Sequence, residues 1–522
     1  MPSVSPPISP PFESWRHPTS GPPRFFSVLP KKFPSPPPWI QGTWIPPEEP
    51  SVVTFGVPET QDAKSEIDIV SYNILSLELT KDDYYRNLDG TVKMDDQEKR
   101  IWLLNKRVEK WMMEGKIIML QEATYSFVMK HDFKRGRTLN VHLHDLMQRH
   151  GYECYYHFYN YVPKRDQLTG KIISGSGTCT LGLATLIPAR QMKVVQSKLL
   201  RPWVNSEYTV EDLLALDVLT NKIESMDADD PEIPILQEEK ETLQLKYRNT
   251  TPNYADRTVL MLALEPRRGP PRRCVIGNVH MPCQYRDPKV MVRIAVKTKK
   301  SILDWMEGCR LDCPLVLGGD FNSDPTEGSA AYRCFTGTLD GVDALVEENR
   351  YISAQEFTRS VTNEKWVDLM HEQPGGCVCT NYGFTKRNYE ESLRKFKDFM
   401  ESLAFSASVM AEPILQMQSF ESIMRVVEDD TLLITDKSKL VEIVRRARKE
   451  RAQFFKPRVL VLDHLFLRDN EGVVERVKSR RTFLHEIVKR TKGLPIPDIH
   501  GIKEPSDHLP IFLTLRWRNK QT

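Results

Sequence analysis

The 522 residues contain no uninterrupted apolar run near the ~20 residues that a membrane-spanning helix needs, so the chain is expected to be soluble, with no stable membrane insertion. Neither sign of charge dominates. Lys and Arg number 73 against 70 for Asp and Glu, a formal +3. That balance excludes a whole-molecule field as the means of holding a polyanion and leaves the task to local basic patches. The N-terminus lacks the apolar core of a secretory signal. The nine cysteines stand apart, with no second Cys pair or His pair at finger spacing beside Cys309/Cys313 or Cys377/Cys379. These absences exclude a disulfide scaffold and a zinc finger, and buried free thiols in a reducing compartment are expected. There is no internal repeat and no leucine-rich array.

Proline is concentrated instead: sixteen of the 37 fall in the first 50 residues. Missing amide donors and a fixed φ oppose helix and sheet there, so residues 1–62 read as a proline-rich disordered leader. A cytoplasmic location is expected. The basic residues Arg16, Arg24, Lys31 and Lys32 make organellar import the alternative, weakened because the prolines break the amphipathic helix of a presequence.

From about Ile67 short apolar runs alternate with helical patterns. Ile67 to Leu75 reads as a buried strand and Lys116 to Gln121 as another. Between them, Glu98 to Glu114 places Ile101, Leu104, Val108, Trp111 and Met112 on one helical stripe. Further strands are expected at Thr258 to Leu264, Cys274 to His280, Leu315 to Gly318, Val459 to Leu467 and Leu509 to Leu515. One catalytic domain is therefore expected over residues 63–522, with helical insertions at about 205–250 and 387–457. The second insertion carries a helical candidate at Tyr389 to Leu403 and the run Lys437 to Arg451, with seven basic and two acidic residues. A solvated helix face is the plain meaning of such a run; a nucleic-acid surface is the sharper one.

Polar residues recur at the ends of the apolar strands. Asn73 follows Val70-Ser71-Tyr72, Glu122 follows Ile118 to Gln121, and His280 follows Ile276 to Val279. Asp320 and Asn322 follow Val316 to Gly319, Asp463-His464 interrupts Val459 to Leu467, and Ser506-Asp507-His508 opens the last strand. Each alone has a structural explanation, such as a turn cap or a satisfied core histidine. Six together point to one site, because charge at a strand end is costly unless paired or bound to metal. Carboxylate and amide oxygens without thiolate suit Mg²⁺, or Mn²⁺ in its place, better than structural zinc. Metal-assisted phosphoester hydrolysis is the chemistry these side chains suit.

The segments SYNIL around Asn73, LQEA around Glu122, GNVHMP around His280, GGDFNSDP around Asp320 and Asn322, LDHLFL around Asp463 and SDHLP around Asp507 and His508 resemble, in order, the motifs of the endonuclease/exonuclease/phosphatase superfamily. LQEA, NVHMP, GGDFNSDP and TNYGF are most similar to its deadenylase branch, with nocturnin, Angel and the 2′,5′-phosphodiesterases. The chain departs from that branch in the long insertion between Tyr382 and Asp463, in the loose match of SGTCTLG near Gly177, and in lacking the leucine-rich repeats of the carbon catabolite repression deadenylases.

The resemblance implies an α+β fold, a four-layer α/β/β/α sandwich with two packed mixed sheets and the site at their edges. It implies Glu122 as metal ligand with Asn73 and Asp507 beside it, and Asp320 with Asn322 positioning or activating water. His508, oriented by Asp463, would stabilise the phosphate, with His280 on its other side. Arg257 aligns loosely with a phosphate-binding position. The implied activity is a Mg²⁺-dependent phosphodiester hydrolase, a 3′-exoribonuclease acting on poly(A) or related adenylate RNA, so RNA or a nucleotide is the expected partner. The alternatives are hydrolysis of a small phosphoester (dinucleotide, 2′,5′-oligoadenylate, phosphoinositide or sphingolipid head group) and a non-catalytic interaction module on the same fold.

Overall fold

The computed structural model describes residues 51–53, 66–76, 97–128, 143–165, 172–203, 210–226, 230–248, 258–270, 272–283, 287–325, 329–338, 352–370, 380–383, 386–406, 453–455, 458–480 and 505–518, with isolated positions between. Its strands are β1 (Ser51–Val53), β2 (Glu66–Asn73), β3 (Ile117–Gln121), β4 (Tyr152–Arg165), β5 (Ile172–Pro188), β6 (Met192–Leu200), β7 (Val259–Pro266), β8 (Cys274–His280), β9 (Leu315–Asp320), β10 (Val367–Asp368), β11 (Asn381–Gly383), β12 (Arg458–Leu460), β13 (Asp463–Arg468), β14 (Val474–Arg480) and β15 (Ile511–Trp517). The helices are α1 (Gln97–Met113), α2 (Tyr125–Val128), α3 (Leu143–His150), α4 (Val210–Glu224), α5 (Ile233–Arg248), α6 (Pro288–Gly308), α7 (Ala330–Thr336) and α8 (Lys386–Ser406). A short helical turn, Ala354–Phe357, runs into a π-helical one, Thr358–Thr362.

One seven-stranded sheet has the order β1-β4-β5-β3-β2-β15-β14, and a six-stranded sheet has the order β10-β13-β9-β8-β7-β6. Both are mixed: β2 runs parallel to β3 and β8 parallel to β9, while the other paired strands are antiparallel. Three apolar layers hold four structural ones together. Leu104, Val108, Trp111 and Met112 of α1 and Leu143, Leu146 and Met147 of α3 cover the outer face of the first sheet. Met291, Ile294, Ala295 and Ile302 of α6, with Ala331 and Phe335 of α7, cover the outer face of the second. Ile69, Met119, Leu183, Ile276, Val316 and Leu465 fill the space between the sheets. The expected α/β/β/α sandwich is what the chain forms.

Strand alternation then decides where the polar strand ends point, because every second side chain shares a face. In β2, Ile67 and Ile69 enter the inter-sheet layer while Val70 and Tyr72 lie under α1, so Asn73 belongs to the inner face. The same count puts Gln121 of β3, Asn278 and His280 of β8, Asp320 of β9 and Asp463 of β13 inside, in register with Met119, Ile276, Val316 and Leu465. The parallel pairs bring the ends level: Asn73 is opposite Gln121, and His280 is opposite Asp320. One end of the inter-sheet layer is therefore polar while the rest is apolar.

Two expectations need correction. Ser51–Val53 pairs with β4, inside the segment assigned to the leader; past Pro50, two β-branched residues with free amides suit a strand. Val459 to Leu467 is two strands. β12 pairs with β11, β13 pairs with β9, and the Thr380 hydroxyl accepts from the amides of Leu462 (2.8 Å) and Asp463 (3.0 Å) at the break. Cys154, Cys274 and Cys334 are free and buried as expected, whereas Cys309 and Cys313 are free but half-buried and Cys283 is free and exposed. No described helix is long and apolar enough to cross a membrane. Helices α4 and α5 occupy the first insertion. In the second, α8 packs Tyr389 and Phe396 against Phe455, and most of the basic run lies outside the described residues.

Candidate active site

Asn73 joins the two sheets at their polar end. Its Nδ2 donates to Glu122 Oε1 and to Asp320 Oδ2, both at 3.0 Å, and its Oδ1 accepts from the Leu75 amide at 3.0 Å. Two acceptor-only partners on one side and a donor on the other fix the amide orientation. Glu122 lies just past β3 with φ +54°, and its Oε2 accepts from the Ser76 amide at 2.8 Å. The Asp320 Oδ1 accepts from the Asn322 amide at 2.8 Å, and Asn322, at φ +48°, donates Nδ2 to the Met281 carbonyl at 2.8 Å. Three of the four described non-glycine residues with positive φ, Leu75, Glu122 and Asn322, are thus in these loops. Local strain of this kind persists only where surrounding bonds hold it.

His280 Nε2 lies 3.8 Å from both Glu122 Oε1 and Asp320 Oδ2. Glu122, His280 and Asp320 each offer one ligand atom, all within 4.8 Å of one another. Both carboxylates are buried, and among the described residues only histidines form ion pairs with them. Two buried carboxylates, one imidazole and no thiolate fit a hard divalent cation better than a structural zinc.

His508 stands beside this group. Its Nδ1 is 2.8 Å from Asp463 Oδ2, and its Nε2 is 3.7 Å from Asp320 Oδ2 and 4.0 Å from Asp507 Oδ1. Burial alone would push the imidazole down, but Asp463, Asp507 and Asp320 together hold it well above its ordinary value. Burial pushes Asp320 up to about 7, aided by the charge of Asp463 and opposed by His508, the Asn322 amide and Asn73. Asp463 Oδ1 is buried with no hydrogen-bond partner among the described residues. The His508 amide donates to Ser506 Oγ (3.1 Å), which donates to the Asn73 carbonyl (2.7 Å), tying the SDHLP loop to the end of β2.

Asn73, Glu122, His280, Asp320, Asn322, Asp463 and His508 therefore meet. His280 lies with Glu122 and Asp320 in the group of three whose ligand atoms could hold a cation, and Asn73 bridges two carboxylates through its nitrogen. Asp507 is outside that group of three, and its Oδ2 accepts from Asn381 Nδ2 at 3.0 Å. Arg257 lies outside the described residues. Asn381 and Thr380, both within TNYGF, border these residues, Asn381 through Asp507 and Thr380 through the Asp463 amide.

No family profile matches the chain, and no curated protein sequence matches it. Solved structures do resemble it. ANGEL2, a 2′,3′-cyclic phosphatase in complex with adenosine-2′,3′-vanadate, is 13% identical, over 88% of this chain and 99% of that one, with a TM-score of 0.44. The human Nocturnin catalytic domain with bound sulfate is 12% identical, over 90% and 98%, with a TM-score of 0.36. An endonuclease/exonuclease/phosphatase family protein from Bacteroides thetaiotaomicron is 12% identical, over 87% and 98%, with a TM-score of 0.33. The chain is similar to proteins of that superfamily. None of these likenesses bears on its substrate.

Proposed function

We propose that this chain is a divalent-metal-dependent phosphoester hydrolase of the endonuclease/exonuclease/phosphatase superfamily, acting with Mg²⁺ as a 3′-exoribonuclease on poly(A) or related adenylate RNA. The observation that carries the reading is the meeting of Glu122, His280 and Asp320 within 4.8 Å, with the Asp463–His508 pair at their side. Residues from five strands or strand ends, separated by up to hundreds of positions, have no structural need to gather buried carboxylates in one place with no Lys or Arg against them among the described residues.

In this reading Glu122, His280 and Asp320 would hold the cation, which when bound supplies Lewis-acid polarisation of a phosphoryl oxygen. His508, kept cationic by three carboxylates, faces the same space with Nε2 and stabilises negative charge as it builds on phosphate. Asp463 fixes the ring by its bond to Nδ1, the orienting role a carboxylate plays behind a catalytic histidine. Asn73 sets the separation of Glu122 and Asp320. Asp320, its Oδ1 held by the Asn322 amide, orients the attacking water.

The test is purified protein with Mg²⁺ or Mn²⁺ against labelled A-, C-, U- and G-tailed RNAs, single-stranded DNA, 2′,5′-oligoadenylate, a 2′,3′-cyclic nucleotide and a dinucleotide. Stepwise shortening of the A-tailed RNA, abolished by chelation, is expected. Turnover confined to the small esters moves the substrate to that class, and no turnover on any substrate with either metal overturns the enzyme reading.

A further inference from the structure

Arg100 belongs to none of the segments that carry the resemblance, yet it is 0% exposed in the first turn of α1. Its guanidinium reaches out of the helix to two loops of the site. Nη2 donates to the carbonyls of Ile74 (2.7 Å) and Leu75, directly after Asn73, and Nε donates to the carbonyl of Pro505 (2.6 Å), directly before Ser506. Burying a cation is costly, and three carbonyl bonds in a planar fork are how an arginine meets that cost. The carbonyls gain as well. Leu75 has φ +56°, a conformation its side chain disfavours, and Arg100 holds the peptide that enforces it.

The consequence lies one bond further on. Leu75 and Ser76 give their amides to Asn73 and Glu122, and Ser506 links the His508 amide to the Asn73 carbonyl. Loops more than 400 residues apart in sequence are thereby locked to a single side chain. One loop orients the cation-binding carboxylate and the other carries His508. We propose that Arg100 is a positioning residue that sets the cation-binding group and the Asp463–His508 pair in one relative geometry, and that turnover depends on it through this geometry. Its role in turnover rests on the hydrolase reading; its role as a clamp does not.

Two measurements on Arg100→Lys test it. The first is amide hydrogen exchange, which needs no substrate. An ammonium lacks the rigid fork that serves two loops at once, so exchange at Leu75, Ser76 and His508 should quicken together by about tenfold or more, the loss of one charged hydrogen bond. Amides in β8 should keep wild-type rates. Unchanged exchange at these three, or loosening of one loop alone, overturns the clamp. The second is kcat in a cycle with His508→Ala, with Leu303→Ala in α6, on the far side of the second sheet, as a variant lowering Tm without touching the site. Arg100→Lys should lower kcat at least about tenfold below its Tm, and far less once His508 is gone. Leu303→Ala should leave kcat unchanged. If Arg100→Lys and Leu303→Ala lower kcat equally, Arg100 serves stability alone and the inference fails. An inactive wild type in which the three amides still loosen together overturns the hydrolase reading, with the turnover half of this proposal, and leaves the clamp standing.

Discussion

Asp463 and His464 are consecutive in β13, and each makes a buried His–Asp pair on its own face of the sheet. Asp463 Oδ2 is 2.8 Å from His508 Nδ1 on the inner face, and His464 Nδ1 is 3.0 Å from Asp368 Oδ2 on the outer. His464 Nε2 also faces the Ser323 carbonyl at 3.0 Å. A carboxylate and a carbonyl are both acceptors, so His464 donates from both nitrogens and is an imidazolium; burial pushes it down, but Asp368 holds it above its usual value. One pair lies in the candidate site and the other, through the Ser323 carbonyl, fixes the loop behind it.

The inner pair should act as a unit. Asp463→Asn removes the charge that orients His508, and His508→Ala removes the ring, so the double variant should lose little more kcat/KM than the worse single one. A double-mutant cycle measures this. Additive losses would mean that the two act independently.

Glu122→Gln keeps shape and removes one of two crowded buried charges. Activity should fall by about two orders of magnitude or more, as for loss of a main electrostatic contact. Without metal, Tm should hold or rise, because the clustered carboxylates repel each other. The rise in Tm that Mg²⁺ or Mn²⁺ gives the wild type should disappear. A Glu122→Gln protein still stabilised by either ion would remove Glu122 from the cation-binding group.

The second glycine of GGDFN tests the packing beneath the site. Gly319 has φ +150°, and a Cβ there would lie 1.9 Å from the Val279 carbonyl oxygen in the neighbouring strand. Backbone cannot give way as a side chain tip can, so Gly319→Ala should cost more than ~4 kcal/mol and yield little folded protein. Gly308, at the end of α6, has nothing within 4 Å of its Cβ position. Gly308→Ala should be neutral or stabilise by up to ~1 kcal/mol. Urea titration of both decides, and a well-folded Gly319→Ala would show that β8 and β9 approach less closely.

The strands that carry the site were legible because each is an apolar run buried on both faces and closed by a polar residue. β8 falls where the sequence places it, and β2, β3 and β9 differ by one or two residues. The hairpin of β4 and β5 was not foreseen: Tyr155 to Tyr159 is a run of aromatic and His residues without alternation, and its pairing is fixed by contacts made across the sheet. Asn73, Glu122 and Asp320 were visible as charge or amide where apolar residues should continue. Arg100 was not, since an arginine on an amphipathic helix looks like a solvated side chain until the carbonyls that surround it are seen. Thr380 and Asn381 carried a signal in TNYGF, but nothing local says that Asn381 meets Asp507, 126 residues on.

Lys299 of α6 is fully buried and gives its Nζ to the carbonyls of Cys334 (2.9 Å), Phe335 (3.2 Å) and Glu364 (2.5 Å), with the Trp366 ring 4.9 Å away. Two of those carbonyls end α7, so the side chain caps a helix it does not belong to. Burial pushes the amine down from 10.5 to about 7. Between those values the unfolded chain binds a proton that the folded one releases, so stability should rise with pH from about 7 toward 10.5. At ~1.4 kcal/mol per unit the rise is bounded at about 5 kcal/mol. It should be smaller, because the neutral amine has one N–H fewer for three carbonyls. Lys299→Met fills the space, removes the titration and takes one donor from each of the three carbonyls, of which Phe335 keeps the Trp366 amide, so it should be less stable than wild type at pH 9.5 and closer to it at pH 7. Urea unfolding of both proteins at the two pH values gives the comparison. The difference isolates Lys299, since every other group is shared, and parallel pH dependences would show that the amine stays charged in the fold.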